Sequence, residues 1–254
     1  MKEINQIYND FTTKLYNYSF QVFLSKKIIT SQKEQILNTY SQYVSSNNYD
    51  EFISLHAESF YSWKNREIIK YGQKNISIND LVAETVYYHN KVYQWLLAIS
   101  FEAYEEYLIK TSRILFKNKN YKSAKKILNV IRIHFPDYQS IENENNKFLL
   151  SLIENFRHKI VHCNGIVDDR PLFLKKTLEE IGLFNNGNYN LNSTNILNSF
   201  FMPEFGNEIV LLEIPVLELS YIRAETTVLN NLLSVLLNSA YFINSEILKQ
   251  ESAN

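Results

Sequence analysis

The apolar residues of this chain recur mostly at every third or fourth position, which is the spacing of amphipathic helices. The first such stripe runs from Ile4 to Val22 and has no distinct end. A second helix is predicted from Ser31, because Ser31-Gln32-Lys33-Glu34 has the spacing of a capping box. A third helix is predicted from about Asp50 to Tyr71. The chain is therefore expected to open with several helices.

The longest periodic stretch runs from about Asn79 to Phe116 and predicts a central helix. A shorter helix is predicted from about Tyr121 to His134, where Phe135-Pro136-Asp137 ends it. The next helix is predicted from about Ser140 to Cys163. Asn164-Gly165 follows, a pair typical of the left-handed turn after a helix.

Beyond this helix the pattern changes. Asn185-Asn186-Gly187-Asn188 indicates a turn, and residues 206–215 are predicted to include a strand of a small hairpin. A last helix is predicted from about Val216 to Lys249. The predicted fold is all-α: one domain over 1–254, with a helical bundle at 79–250, additional N-terminal helices at 1–78, and a small hairpin or irregular excursion before the C-terminal helix.

The composition agrees with a packed helical protein. Hydrophobic residues make up 45% of the chain, whereas there are only five glycines and four prolines, too few for many tight turns. A single cysteine, Cys163, excludes an internal disulfide and a cysteine-rich zinc site. The start lacks the apolar segment of a signal peptide, and no run of about 18 apolar residues exists. We therefore expect a soluble, cytoplasmic protein without a membrane partner.

The net charge of -1 conceals an uneven distribution. Residues 1–135 contain 18 Lys or Arg and 12 Asp or Glu, whereas the remainder contains 8 and 15. No acidic residue interrupts the basic run from Lys110 to Arg132, which predicts a track for a polyanion such as RNA. Its central lysines are Lys117, Lys119, Lys122, Lys125 and Lys126. The alternative is a solvated face of two helices.

The residues best suited to chemistry stand at the end of the helix that precedes Asn164. Arg157 and His162 are separated by four residues, and His158 and His162 are four positions apart. The two histidines share a helix side and can bind a metal if Glu154 or Asp168 completes the site. The chain has no phosphate-binding glycine loop, dinucleotide fingerprint or His-Glu-x-x-His motif. Of the structural, metal-binding and metal-independent interpretations, we favour the last, with no cofactor and no metal.

Arg157-x-x-x-x-His162 resembles the Arg-x(4–6)-His signature of the HEPN superfamily, the higher eukaryotes and prokaryotes nucleotide-binding domains. The continuation from His162 to Asp168 and the upstream Tyr104-Glu105-Glu106-Tyr107-Leu108 are similar to bacterial members. The resemblance implies a helical bundle, a homodimer with a composite site, and an endoribonuclease used in toxin-antitoxin or phage-defence systems. An antitoxin or another defence-system partner is also implied. Asn164 stands where some of these toxins carry a tyrosine that becomes modified.

The residue types suit RNA cleavage without a metal. A histidine can move protons near neutral pH, and the guanidinium of an arginine can hold two phosphate oxygens. We expect His162 and Arg157 in these roles, Glu105 to hold Arg157, and His158 or Asn164 to contact the substrate. Among the acids that stand between aromatic residues at 101–108, we expect at least one to face a buried or interfacial partner, Glu105 as first choice and Glu102 as second. The alternative is a catalytically inactive HEPN module that binds a nucleotide or a protein.

Overall fold

The computed structural model describes residues 2–45, 52–56, 60–62, 67–69, 73–117, 121–184, 191–219 and 222–253. In this part of the chain the helices are α1 (Lys2–Ser45), α2 (Ile78–Leu115), α3 (Ala124–His134), α4 (Pro136–Ile141), α5 (Glu144–Cys163), α6 (Arg170–Glu180), α7 (Leu191–Asn198) and α8 (Val228–Ala253). The strands are β1 (Phe52–His56), β2 (Phe60–Ser62), β3 (Glu67–Ile69), β4 (Gln73–Ser77), β5 (Glu213–Leu219) and β6 (Ile222–Thr227). They form only two-stranded antiparallel pairs, β1 with β4, β2 with β3, and β5 with β6. The predicted all-α class is thus confirmed, including a hairpin before the C-terminal helix.

The chain divides into two compact units. One consists of Met1–Val22 and Val92–Asn254, and the other of Phe23–Lys91. Both α1 and α2 contribute residues to each unit.

The N-terminal predictions need two corrections. The two helices expected before residue 46 are one continuous helix, α1, so the capping-box spacing at Ser31 does not start a new element. The helix expected over 50–71 is wrong, because its described residues form β1, β2 and β3. Segments such as Phe52–His56 combine aromatic and β-branched residues, whose preference for strands outweighs a weak helical spacing.

The central predictions are confirmed with adjusted ends. Helices α2 and α3 lie where the apolar spacing placed them. Helix α5 begins at Glu144 rather than Ser140, because α4 forms separately and the Asn143 side chain caps α5 by accepting a hydrogen bond from the Asn146 amide at 2.8 Å.

The region after α5 contains two helices that the sequence pattern did not predict, α6 and α7. The expected strand at 206–215 lies later, in β5, and the last helix begins at Val228 instead of Val216 because β6 occupies the intervening residues. The Thr227 hydroxyl accepts a hydrogen bond from the Asn230 amide at 3.1 Å, which caps the start of α8. The turn expected at 185–188 lies outside the described residues.

The core of the larger unit is built from α1, α2, α5 and α8. The Phe11 ring lies 5.8 Å from the Tyr104 ring and 5.1 Å from the Tyr107 ring, centroid to centroid. The Tyr107 hydroxyl donates to the Ala240 carbonyl at 3.0 Å, joining α2 to α8. Phe156 of α5 is fully buried. Helix α5 therefore presents its polar residues from a fixed support.

A polar network runs through this core. The Arg132 Nε and Nη2 atoms donate to the two carboxylate oxygens of Glu142 at 2.6 and 2.8 Å. The Ser239 hydroxyl bonds to the hydroxyls of Tyr138 and Tyr104 at 3.0 and 2.6 Å. Burial raises the pKa of both tyrosines, so that they remain neutral donors. None of the described helices has the length and apolarity needed to cross a bilayer.

Candidate active site

Helix α5 ends in the left-handed turn that its sequence predicts. Asn164 has φ of 54° and Gly165 has φ of 79°. The amides of both residues donate to the Lys159 carbonyl, at 2.9 Å for Gly165. His162 stands in the last helical turn and is exposed. The chain therefore reverses direction immediately after its proposed proton-transfer residue.

Arg157 lies against α2 and makes one ion pair there. Its Nη2 atom is 3.0 Å from Oε1 of Glu102, and the two side chains are 30% and 53% exposed. The Nε atom of Arg157 is buried without a hydrogen-bond partner in the described part of the chain. A buried donor without an acceptor is costly. The guanidinium is therefore held from one side only, with hydrogen-bonding capacity left over.

The expected partner of Arg157, Glu105, has another contact. Its Oε1 atom accepts a hydrogen bond from the Ala124 amide at 3.2 Å, at the start of α3. Residues three apart on a helix differ by about 60° around its axis, so Glu102 and Glu105 face different neighbours. The expectation that Glu105 holds Arg157 is therefore wrong: Glu102 holds it, and Glu105 instead satisfies an amide at a helix N-terminus.

His158 and His162 lie side by side one helical turn apart. Their ring centroids are 4.7 Å apart and the ring planes are inclined by 51°. Arg157 is separated from His162 by about 7.5 Å along the helix axis and about 140° around it. The arginine and histidine of one chain therefore point in different directions, and the histidines form a pair on a face of their own.

The turn after His162 is fixed by a distant part of the chain. The Gly165 carbonyl accepts from the Ile209 amide at 3.0 Å, and the Val167 amide donates to the Asn207 carbonyl at 2.9 Å. Nε2 of the buried Gln94 donates to Oε1 of the buried Glu208 at 2.8 Å and to the Ile209 carbonyl at 2.7 Å. We call Gln94, Gly165, Glu208 and Ile209 the latch.

The latch explains why a glycine stands at position 165. A Cβ atom there would lie 2.6 Å from Oε1 of Gln94. The sequence interpretation missed Gln94 and Glu208, although the position of Glu208 beside the apolar run from Ile209 to Leu212 indicated that this charged residue needs a buried partner. These two residues support the proposed site without belonging to its chemistry.

Only some lysines of the predicted basic track are exposed to solvent. Lys117, Lys122 and Lys126 are exposed, whereas the Lys125 ammonium lies 4.0 Å from a Glu180 carboxylate oxygen. Lys119 lies outside the described residues. The end of the run, Arg132, belongs to the buried network described above.

The start of α3 approaches α5 at a small cavity lined in part by Lys125 and Glu154. Burial raises the pKa of the Glu154 carboxyl, and the negative charges of Glu105 and Glu180 add to the effect. Glu154 is one helical turn from Arg157 and His158. Helix α3, which carries part of the basic run, therefore begins close to the proposed site. The described residues contain no group of three or more His, Cys, Asp or Glu side chains that could hold a metal, and Glu154 and Asp168 do not complete one there.

Comparison of the chain with protein-family models, curated proteins and solved structures found no match.

Proposed function

We propose that the chain is a metal-independent endoribonuclease of the HEPN type, in which Arg157 binds phosphate and His162 transfers protons. The proposal rests on the incomplete hydrogen bonding of the Arg157 guanidinium. This guanidinium makes one contact, to a half-exposed carboxylate, while its buried Nε lacks an acceptor in the described structure. A phosphate offers the anionic oxygens that such a forked cation can bind.

The chemistry requires a proton-transfer group within reach of the RNA backbone. The 2′-hydroxyl must lose a proton as it attacks phosphorus, and the departing 5′-oxygen must gain one. His162 is exposed at a helix end, and a histidine in this role contributes about 10² to 10⁴ in rate. Arg157 would stabilise the negative charge that develops on the phosphorane.

A second copy of the chain would complete the site. Arg157 and His162 of one chain diverge around α5, so one phosphate is better contacted by the arginine of one copy and the histidine of another. Exposed apolar side chains lie on the same helices as both groups or next to them in the chain: Val92 and Trp95 on α2, which also carries Glu102, and Val161 and Ile166 close in sequence to His162. Such a surface suits a symmetric homodimer interface.

The biological setting that fits this proposal is a toxin or phage-defence effector acting in the cytoplasm. Its substrate is RNA, approached through the exposed lysines of the basic run, Lys117, Lys122 and Lys126. An antitoxin or another defence-system partner would control it by covering the same surface.

A second candidate function follows from the divergence of Arg157 and His162. If the two groups never meet on one phosphate, the chain is a catalytically inactive HEPN module, and Arg157 only grips a nucleotide or a partner protein. Binding of RNA or nucleotide without cleavage is the outcome that favours this candidate.

The deciding experiment is cleavage of a mixed RNA pool in EDTA, followed by analysis of the product ends. We expect products with 2′,3′-cyclic phosphate, and we expect His162→Ala to lose cleavage while remaining folded. His134→Ala is the control, because His134 is an exposed histidine on α3. Full cleavage by the His162→Ala homodimer would refute the assignment, and a requirement for added metal would refute the metal-independent mechanism.

Mixing two inactive variants tests the composite site. A heterodimer of Arg157→Ala with His162→Ala retains one arginine and one histidine, on different chains. Partial recovery of cleavage is expected if the two groups cooperate across the interface. A verified heterodimer without activity would show that each chain needs its own pair or that both copies are required.

A further inference from the structure

The two histidines of α5 meet the geometric requirement for a chelating pair. Side chains four positions apart on a helix lie above one another, and the rings of His158 and His162 stand 4.7 Å apart between centroids. Both side chains are exposed, so they can rotate to direct one nitrogen each toward a common ion. The same spacing supplies the two histidine ligands of zinc-binding helices.

The position of the pair favours a cation. Both residues lie in the C-terminal half of α5, and His162 is in its last turn, where unpaired carbonyls give the helix end a partial negative charge. The nearby positive charge of Arg157 is balanced by Glu102 at 3.0 Å. Imidazole is a preferred ligand of Zn²⁺, Cu²⁺ and Ni²⁺ and a poor ligand of Mg²⁺.

We propose that His158 and His162 bind one divalent transition-metal ion of the zinc and copper class. Two protein ligands are fewer than the three or four that retain zinc in catalytic and structural sites, so water fills the other positions and the ion exchanges readily. This site is regulatory, and it leaves the proposed reaction metal-independent.

The consequence for activity rests on the proposed function. A metal bound to the imidazole of His162 occupies the nitrogen that would accept or deliver a proton, and the ion stands where RNA must approach. Zinc is therefore an inhibitor that competes with catalysis at the same side chain. The binding itself does not depend on whether the chain cleaves RNA.

Calorimetric titration of zinc chloride into the full chain, after treatment with EDTA and its removal, tests the binding. We expect one zinc ion per chain and at least about tenfold weaker binding in His158→Gln and in His162→Gln. The control His134→Gln should bind zinc as the wild type does, and magnesium should not bind. Electron paramagnetic resonance of the Cu²⁺-loaded protein should show two nitrogen ligands, reduced to one by either variant. No saturable zinc binding, or binding that neither variant weakens, would overturn the site.

An RNA-cleavage assay with graded zinc tests the inhibition. Cleavage should fall in proportion to the calorimetric occupancy and return when EDTA is added. Zinc bound without loss of cleavage would overturn the competition. If the wild type cleaves no RNA at all, the proposed nuclease fails, while calorimetry and spectroscopy still decide the metal site.

Discussion

Two arginine-carboxylate pairs in the same compact unit differ in how deeply they are buried and in how many hydrogen bonds join them. Arg132 meets Glu142 through two hydrogen bonds, and the side chains are 12% and 5% exposed. Arg157 meets Glu102 through one, and the side chains are 30% and 53% exposed. The first pair is closed to ligands, whereas the second has donors and solvent access left.

The surroundings of each pair explain the difference. The Tyr138 hydroxyl also donates to Glu142, at 3.4 Å, and Asn129 accepts from Nη1 of Arg132 at 3.0 Å. Removing one member would leave a buried charge with no counterpart. The half-exposed pair is screened by water and contributes little to stability. Arg132 thus has its hydrogen bonds satisfied inside the protein, whereas Arg157 keeps a donor that a ligand could use.

The largest expected effect is the loss of stability in Arg132→Ala. It should lower the free energy of unfolding by about 3–5 kcal/mol, because the buried Glu142 side chain loses both hydrogen bonds from the guanidinium. Urea denaturation followed by circular dichroism measures the change. Arg113→Ala is the control, since Arg113 is exposed on α2. A loss of less than about 1 kcal/mol would contradict the structural role assigned to the buried pair.

Arg157→Ala should affect RNA cleavage strongly and stability little, the reverse of what is expected for Arg132→Ala. RNA cleavage should fall by about 100-fold or more, as when one transition-state donor is removed, while the free energy of unfolding changes by less than about 1 kcal/mol. Arg157→Lys should restore little activity, because an ammonium cannot make the forked contact. Arg113→Lys serves as the matched control. Unchanged cleavage in both Arg157 variants would remove the arginine from the mechanism.

Gly165→Ala should destabilise the chain more than Gly182→Ala does. Both glycines have a positive φ, which costs about 1–2 kcal/mol for another residue. Only Gly165 faces a neighbour, Gln94, whereas no atom lies within 4 Å of a Cβ at Gly182. Displacing Gln94 from its acceptors should add about 1–3 kcal/mol. Denaturant unfolding measures the difference, and equal losses would mean that the latch has no energetic role.

Charge reversal of the exposed lysines of the basic run should weaken RNA binding. The triple variant Lys117→Glu, Lys122→Glu, Lys126→Glu should reduce the slope of log K against log salt by about 0.7 for each lost phosphate contact. The control reverses Lys2, Lys175 and Lys176, three exposed lysines of other helices. Identical binding and salt slope in the two triple variants would show that the basic run is only a solvated helix face.

The smallest expected effect concerns Glu154, whose folded-state pKa is raised. The unfolded chain releases this proton first, so the carboxyl lowers the free energy of unfolding as pH rises from about 4.5 through the folded-state value. Glu154→Gln should raise the melting temperature slightly at neutral pH and not below pH of about 4. Glu144→Gln, at the exposed start of α5, is the control. A stabilisation independent of pH would contradict the assignment.

The sequence predicted those parts of the fold that depend on local spacing. The apolar stripe placed α2 and α3, and Asn164-Gly165 marked the end of α5, because such signals lie within one or two turns of the residues they affect. Which of Glu102 and Glu105 meets Arg157 was not predictable, since it depends on which face of α2 packs against α5. Strands β1 to β3 were missed because short apolar segments fit either period.

The candidate site shows the same limit. Arg157, His158 and His162 were selected from residue type, from spacing and from the resemblance of their motif to a known signature, and the structure places them on one helix as expected. Gln94 and Glu208 were not selected, since their contact joins residues far apart in the chain. Their pairing follows from the path of the backbone around Gly165, which no local pattern records.

Because of the latch, the turn after His162 can be completed only late in the synthesis of the chain. The turn after His162 closes on residues 207–209, which are made only after α6 and α7. A nascent chain that ends before Asn207 contains Arg157 and His162 but lacks the backbone contacts from residues 207 and 209 that hold the end of their helix. A toxic activity built on this turn would remain silent on the ribosome until most of the polypeptide has emerged.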